Sequence, residues 1–100
     1  MEYFKIKSRW SYFTNDYFSV YPNPAKEFVV VNYSVTSSSF LNINLYNTIG
    51  QQVKTLINKD QIQAGIYSQE ININDLNAGL YYVRMDTGNG SKVEKIIVSD

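Results

Sequence analysis

The sequence contains neither cysteine nor histidine. Without cysteine, a disulfide scaffold, a thiolate metal site and a cysteine nucleophile are all excluded. Without histidine, the chain lacks the commonest general base and the commonest metal ligand of proteins. Carboxylates, lysines and tyrosines are the acid–base groups that remain. Composition therefore predicts a protein with no metal and no cofactor.

Long apolar runs and an excess of one charge are missing as well. No run approaches the ~20 apolar residues that a membrane-spanning helix needs, and the start of the chain lacks the apolar core of a secretory signal peptide. Nine basic residues balance nine acidic ones. The nearest approach to a basic cluster is Lys5, Lys7 and Arg9 beside Trp10, which is weak support for nucleic-acid binding. We therefore expect no nucleic-acid partner and no membrane-spanning segment.

Amphipathic helical patterns are also absent, since no window combines apolar residues at helical spacing with a capping signal. Apolar and polar residues instead alternate over short stretches, which is the pattern of half-buried strands. About six or seven such stretches, roughly 8–12 residues apart, predict an all-β fold. We expect an antiparallel β-sandwich of about seven strands, immunoglobulin-like or jelly-roll-like. One hundred residues make it a single domain with one modest core.

Alternation also predicts which side chains form the core. The stretch around which the chain is organised is a turn at 75–79 followed by a strand at 80–85, with Gly79 suited to a positive φ. Residues 58–65 are predicted as a polar loop, and the last strand is the natural candidate for a sheet edge. The strands are predicted at 28–35, 40–46, 51–57, 66–73, 80–85 and 92–98. The predicted core residues are Val29, Val31, Tyr33, Val35, Leu41, Ile43, Leu45, Val53, Ile57, Tyr67, Ile71, Ile73, Tyr81, Val83 and Met85.

Residues 1–19 have little periodicity and are interpreted as a linker or an edge strand, with a short strand pattern at 2–7. Aromatic residues such as Trp10 and Tyr12 crowd this stretch. They either cover one end of the core or form an exposed patch for a partner or a sugar ring. Pro22 and Pro24 then mark a boundary, because two prolines fix the backbone and remove two N–H donors. The domain is expected to span 20–100.

An enzyme is not predicted. The carboxylates are scattered singly, mostly in turns, and no nucleophile elbow, phosphate-binding loop or metal-binding loop occurs. A pair of carboxylates could be assembled in space, but nothing in their spacing indicates it. Composition and spacing thus lead to a small β-sandwich without a reaction of its own.

Four segments, in order, resemble one known family. Residues 20–25 resemble its YPNP motif, 45–53 its tyrosine–turn–glycine motif, 76–83 its LxAGxYxV motif and 92–98 its closing lysine-spaced strand. The family is the C-terminal sorting domain of cargo proteins of the type IX (Por) secretion system of the Bacteroidetes. Each motif alone is also typical of β-sandwiches in general, so the resemblance to this family depends on the order of the motifs, their spacing and their closeness to the C-terminus.

The resemblance implies a seven-stranded sandwich that acts as a folded, non-catalytic secretion signal. The type IX outer-membrane translocon would recognise it once an N-terminally attached cargo reaches the periplasm. A surface sortase would then usually remove it, and the cargo would be anchored at the outer-membrane surface or released. The cut would fall before Val20. The motif positions with an expected role in recognition are Tyr21, Pro22, Asn23, Pro24, Gly50, Gly79, Tyr81, Lys92, Lys95 and Val98.

Two departures and two alternatives accompany the resemblance. The family often ends on a basic residue, whereas this chain ends Val98-Ser99-Asp100. The chain is also expected to be an excised domain or a truncated reading frame, because residues 1–19 supply no export signal. For the lysines of the last strand, recognition and protection against edge-to-edge aggregation remain equally open. The alternative function is a carbohydrate-binding or adhesive module of an extracellular protein, supported by the tyrosine and tryptophan content and tested by exposure of Trp10, Tyr12 and Tyr82.

Overall fold

The computed structural model describes residues 16–100. Within that range the chain forms seven β-strands and no helix. The bounds are β1 Tyr17–Tyr21, β2 Phe28–Val35, β3 Ser39–Tyr46, β4 Gln52–Ile62, β5 Gly65–Asn72, β6 Gly79–Thr87 and β7 Gly90–Val98.

The strands form two antiparallel sheets that pack face to face. One is three-stranded with the order β1–β2–β5, and the other is four-stranded with the order β4–β3–β6–β7. The prediction of an all-β, antiparallel sandwich of about seven strands is confirmed. The edge strands are β1 and β5 in one sheet and β4 and β7 in the other, so the predicted edge position of the last strand is also confirmed.

The core lies between the sheets and follows the alternation in the sequence. Inward side chains of β2, β3 and β6 are almost fully buried, while their neighbours along each strand are not. Tyr33 stacks on the half-buried Tyr67, with ring centroids 5.3 Å apart. Each large apolar side chain buried here contributes about 1.5–3 kcal/mol. The largest fully buried side chains are Leu41, Ile43, Leu45, Ile73, Met85, Ile96, Val29, Val31 and Val83.

The fourth strand differs from its prediction. It runs to Ile62, so the loop predicted over 58–65 is wrong for most of its length. Val53, predicted to be in the core, is 43% exposed, whereas Ile57 and Ile62 are buried. The ladder between β3 and β4 contains three register shifts. Each bulge sets two residues of β4 against one of β3, which interrupts the period-2 pattern from which the inward residues were predicted.

The chain enters the sandwich through β1, which forms the edge of the three-stranded sheet beside β2. Phe18 and Val20 point into the core, while Tyr17 and Tyr21 are exposed. The strand pattern at 2–7, the basic residues and the aromatic residues before position 16 lie outside the described residues.

The two ends of the sandwich carry different connections. One end, here called the motif end, comprises the connections 22–27, 47–51 and 73–78 and the terminal residues 99–100. The opposite end, here called the Asp16 end, comprises Asp16 and the connections 36–38, 63–64 and 88–89. Both sheets span the distance between these ends, because every strand runs from one end to the other.

Candidate recognition surface

The positions that the resemblance marked for recognition come together at the motif end, with the exception of Lys92. Tyr21 ends β1, Gly79 begins β6 and Val98 ends β7. Gly50 lies in the β3–β4 turn, and Tyr81 lies two residues into β6. Segments that are far apart in sequence therefore share one end of the molecule, with Pro22, Asn23 and Pro24 in the connection after β1.

The connection after β1 covers the outer edge of β7. The side-chain amide of Asn23 behaves like a piece of backbone, because its Nδ2 donates to the Lys95 carbonyl at 3.1 Å and its Oδ1 accepts from the Ile97 N–H at 2.9 Å. The Ala25 N–H donates to the Ile97 carbonyl at 2.7 Å, and the Ser99 N–H donates to the Ala25 carbonyl at 2.8 Å. These bonds join the first motif to the last. They also occupy groups that an edge strand would otherwise offer to another chain.

An exposed ring surface adjoins this covered edge. Pro22 and Pro24 are both exposed, and the peptide bonds before them are both cis. The ring of Tyr21 is 47% exposed, and its hydroxyl accepts a hydrogen bond from the Asn32 side-chain amide at 3.1 Å. The YPNP segment therefore combines a structural residue, Asn23, with three side chains available for contact.

The β3–β4 turn requires glycine for a conformational reason. Gly50 has φ of +86°, a region that costs a side chain roughly 1–2 kcal/mol. Nothing among the described residues lies within 4 Å of where its Cβ would stand, so space is not the constraint. Asn47 closes the turn, since its Oδ1 accepts from the Ile49 N–H at 3.1 Å and the Gln51 N–H at 2.9 Å. The turn holds Ile49, which is 76% exposed, at the tip of the motif end.

The third motif stabilises its own turn. Gly79 has φ of +155° and pairs with the buried Val98, so the positive φ predicted for it is confirmed. Tyr81 is half-buried, and its hydroxyl donates to the Asn77 carbonyl at 2.7 Å. Tyr81, Val83 and the rest of the inward face of β6 match the prediction. The aromatic ring thus links the core to the β5–β6 connection.

An ion pair that sequence reasoning missed joins the start of β4 to the β5–β6 connection at the motif end. Lys54 Nζ lies 2.9 Å and 3.1 Å from the two carboxylate oxygens of Asp75. The hydrogen bond and charge of Lys54 hold the pKa of Asp75 below its usual value. The two residues are 21 positions apart, and no local pattern relates them.

The outer face of the four-stranded sheet carries a shallow groove of about 290 Å³ beside the motif end. Tyr46 and Tyr82 stand opposite each other on β3 and β6, and Arg84 and Val93 extend the groove along the sheet. Tyr82 is only half-buried, whereas Trp10 and Tyr12 lie outside the described residues. The exposure of Trp10 and Tyr12, on which the sugar-binding alternative depends, therefore stays a prediction.

The two lysines of the last strand do not form a cluster. The register of β7 is regular, and it places Lys92 and Lys95 on opposite faces, as predicted for a spacing of three. Lys95 is exposed opposite Tyr82, beside the groove. Lys92 is partly buried opposite Met85, toward the Asp16 end. Only Lys95 therefore belongs to the motif end.

A buried carboxylate organises the Asp16 end. The side chain of Asp16 accepts hydrogen bonds from the Thr36 N–H at 3.0 Å, from the Thr87 hydroxyl at 2.7 Å and from the Asn89 amide at 3.3 Å. Burial acts to raise the pKa of Asp16, but these bonds outweigh it and hold the pKa below its usual value. The first described residue thus ties β1 to the β2–β3 connection and to the β6–β7 hairpin. Sequence reasoning did not single it out.

The described residues show neither a metal-binding cluster nor a membrane-spanning helix. Across residues 16–100, no three aspartate or glutamate side chains come together in a way that could hold a metal ion. No helix in the same range is long and apolar enough to cross a membrane. What the motif end presents is a rigid set of turns, exposed rings and the chain terminus.

Comparison with family models identifies a relationship that covers most of the chain. A family model described as a secretion system C-terminal sorting domain matches residues 19–99. No curated protein and no solved structure matches the chain. The matched range begins inside β1 and ends one residue after β7, so it covers nearly the whole sandwich and leaves Asp16 outside it.

Proposed function

The chain belongs to the family of secretion system C-terminal sorting domains, and on that premise we propose that it directs an attached cargo protein through the type IX outer-membrane translocon. Membership supports a type IX sorting signal, association with that secretion machinery and export to the cell surface or the extracellular space. Passage through the periplasm and recognition there by the translocon are the further steps of the proposal.

The motif end is the surface that the translocon binds. The observation that carries this step is the clustering of motif positions from four separate segments at one end of the sandwich. Such clustering suits recognition of a folded shape, because the four segments are brought together only in the folded chain. The cap of Asn23 on β7 and the turn at Gly50 make the surface rigid, which reduces the ordering cost of binding.

The attachment of cargo leaves that surface accessible. The chain before Asp16 meets the sandwich at the end opposite to the motif end. The nine residues of β7 span about 30 Å between the two ends. Cargo would therefore be joined to the sandwich at the end opposite to the surface that the translocon contacts.

Removal by a surface sortase is the final step of the proposal. A protease needs an extended, accessible backbone, and β1 is paired with β2 from Tyr17 onward. Phe18 and Val20 are also buried in the core. We therefore expect the cut before Asp16, rather than anywhere before Val20 as the resemblance alone implied.

A reporter fusion tests the proposal directly. The full chain is joined to the C-terminus of a fluorescent reporter that carries its own inner-membrane export signal, in a bacterium with a type IX system. The reporter is expected at the cell surface or in the medium, and in the periplasm of the same host without a functional translocon. Retention of the wild-type fusion in the periplasm of the intact host would overturn the proposal.

The role of the motif end has its own test. Replacing the exposed Ile49 and Tyr21 by serine alters the surface without removing a core side chain. Secretion of the fusion is expected to fall, while the thermal midpoint of the domain stays close to that of the wild type. The matched control is Thr36→Ser with Ser37→Ala at the Asp16 end, which should be secreted normally. Equal secretion of both double variants would contradict the assignment of the motif end.

A further inference from the structure

The four edge strands of the sandwich are protected unequally. β1 has only five residues, β4 is interrupted by three register shifts, and β7 carries two lysines and the cap formed by Asn23 and Ala25. Short strands, bulges, lysines and covering segments are the usual means by which proteins prevent pairing with another chain. Within residues 16–100, β5 has none of them: it contains no lysine, arginine or proline, and it pairs with β2 in an unbroken register.

Alternation along an antiparallel ladder identifies the backbone groups at the outer edge of β5. The Ile73 N–H donates to the Glu27 carbonyl at 2.9 Å. In an antiparallel ladder every second residue faces the same neighbour, so the backbone groups of Ile71, Gln69 and Tyr67 also point toward β2. The residues between them, Ile66, Ser68 and Glu70, turn theirs away. No hydrogen bond from elsewhere in residues 16–100 reaches these outward groups. They form a row of donors and acceptors about 13 Å long.

The side chains of the same residues give the edge a distinct chemistry. Ile66 is 89% exposed, more than any other large apolar side chain among those described. Ser68 is exposed, and Glu70 is the only charged residue of β5. A strand added here would extend the three-stranded sheet to four strands, equal to the sheet that it faces.

We propose that the outer edge of β5 is a docking site for an extended segment of a secretion-machinery protein, which adds to the sheet as a fourth strand. This inference rests on the proposed function. It adds a second site of contact with the secretion machinery, in addition to the motif end. Main-chain hydrogen bonds would supply the affinity, and side chains at alternate positions the specificity. The segment that fits carries a lysine or arginine opposite Glu70 and an apolar side chain opposite Ile66.

Charge favours a different chain over a second copy as the occupant. Two copies of β5 pairing edge to edge contain two Glu70 side chains and no basic residue. No register of such a pair gives Glu70 an opposite charge, and one register sets the two glutamates directly against each other. A segment of another protein with one lysine or arginine pairs that residue with Glu70 in only one register, which fixes the alignment of the two strands.

Two variants alter the outer edge of β5 without changing the rest of the fold. Ser68→Pro removes one outward N–H, and it leaves the ladder to β2 intact because the N–H of Ser68 faces away from β2. Ser68→Ala is its matched control, since it keeps the N–H. Glu70→Lys reverses the charge and leaves every backbone group in place. Thermal unfolding and far-ultraviolet circular dichroism of each variant establish that it folds, and Glu70→Lys carries the test if Ser68→Pro does not.

Binding is measured with a defined probe, an acetylated ten-residue peptide of alternating threonine and valine with one central lysine. With the full chain, amide chemical-shift changes are expected at Ile66, Ser68 and Glu70. Loss of one hydrogen bond predicts about tenfold weaker binding to Ser68→Pro, and charge reversal about threefold weaker binding to Glu70→Lys. The same peptide N-methylated at alternate residues should not bind. Equal binding of the methylated peptide, shift changes at another edge, or no shift changes would overturn the proposal.

Secretion of the reporter fusion separates this inference from the function on which it rests. Wild type and Ser68→Ala should be exported, whereas Ser68→Pro and Glu70→Lys should accumulate in the periplasm at least severalfold. If the wild-type fusion is not exported, the sorting function itself fails. If all four fusions are exported equally, the sorting function is supported and the proposed docking at the β5 edge is refuted.

Other occupants give different outcomes, and each overturns the proposal. A dimer detected by light scattering for the wild type and lost in Ser68→Pro would identify a second copy as the occupant. Peptide binding that appears only after deletion of residues 1–15 would identify the chain's own N-terminal segment. Monomeric full-length protein that binds the peptide supports docking of another chain.

Discussion

The two ends of the sandwich are stabilised by different means. The Asp16 end depends on one buried carboxylate that accepts hydrogen bonds from three other segments. The motif end depends on several contacts: backbone bonds and the Asn23 amide join the first and last motifs, and the Asn47 amide closes the β3–β4 turn. At the Asp16 end the stabilising hydrogen bonds therefore depend on one residue, whereas at the motif end they are distributed over several residues.

The comparison also separates stability from recognition. The family match begins at residue 19, so it contains the connections of both ends and, of the Asp16 end, leaves out only Asp16 itself. Asp16 is buried and its carboxylate is satisfied by hydrogen bonds, although the connections around it are exposed, as are the rings of the motif end. Substitutions of Asp16 itself should therefore act mainly on the free energy of unfolding, and those at the motif end should have smaller, local effects.

The largest effect is expected for Asp16→Ala. It removes the acceptor of the buried cluster and leaves the Thr87 hydroxyl and the Thr36 N–H without that partner. We expect the free energy of unfolding to fall by about 2–3 kcal/mol, measured by urea denaturation. Asp16→Asn, which keeps one acceptor oxygen, should lose less. A loss below about 0.5 kcal/mol for the alanine variant would show that the cluster is not what holds this end.

Acid should weaken the same cluster. Because the folded-state pKa of Asp16 lies below its usual value near 3.8, its stabilisation is complete above the unfolded-state pKa and is lost as the pH falls through the folded-state pKa. Wild-type protein should thus lose more stability than Asp16→Asn as the pH is lowered from 5 toward 3. Urea midpoints across that range measure it, and parallel curves for the two proteins would refute the prediction.

Asn23→Ala should have an intermediate effect at the motif end. It removes both bonds from the amide to β7, and we expect a loss of about 1–2 kcal/mol. Amide hydrogen exchange should quicken at Ile97 while exchange at Thr36 stays unchanged. The matched control is Asn32→Ala, which loses one exposed bond to Tyr21. Faster exchange at both ends would mean that the two ends are not independent.

Gly50→Ala should cost about 1 kcal/mol, because its positive φ is unfavourable for a side chain. Gly50→Asn should recover part of the loss, since asparagine tolerates that region better. Thr48→Ala in the same turn is the control and should be nearly neutral. Thermal midpoints compare the three variants. No difference between the alanine variants would indicate that the turn relaxes to a negative φ.

The smallest effect is expected for Lys54→Ala. The ion pair with Asp75 is in contact with solvent, with the Lys54 side chain 26% and the Asp75 side chain 65% exposed, and such pairs are screened and entropically costly to hold. Its urea midpoint should match that of the wild type within repeat error at moderate salt. A clear loss of stability would show that the motif end, like the Asp16 end, depends on a single charged contact.

Sequence predicted most of the fold because its pattern is local. The alternation at 29–35 and 41–45 identified core faces that the structure confirms, and Gly79 was identified by its place before a strand. β4 could not be predicted in the same way. Its bulges depend on the pairing with β3, so the exposure of Val53 has no signal in the neighbouring residues.

The candidate site was predicted as a set of residues but not as an arrangement. Motif order identified Asn23, Gly50 and Lys95 without indicating that Asn23 binds the backbone of β7. Asp16 was missed because a lone aspartate before an aromatic stretch resembles an ordinary surface residue. Its role arises from Thr36, Thr87 and Asn89, which are far from it in sequence.

By itself the sequence determined most of the strands and core faces, with β4 as the exception, and the absence of cysteine and histidine chemistry, because each of these depends on side-chain type and spacing along a few residues. Only the tertiary structure decided which ends and edges those strands share. It gathered the motifs at one end, covered the edge of β7 and, within residues 16–100, left the outer edge of β5 without a neighbouring strand. The reason is physical: hydrogen bonds between strands join residues that no local pattern relates.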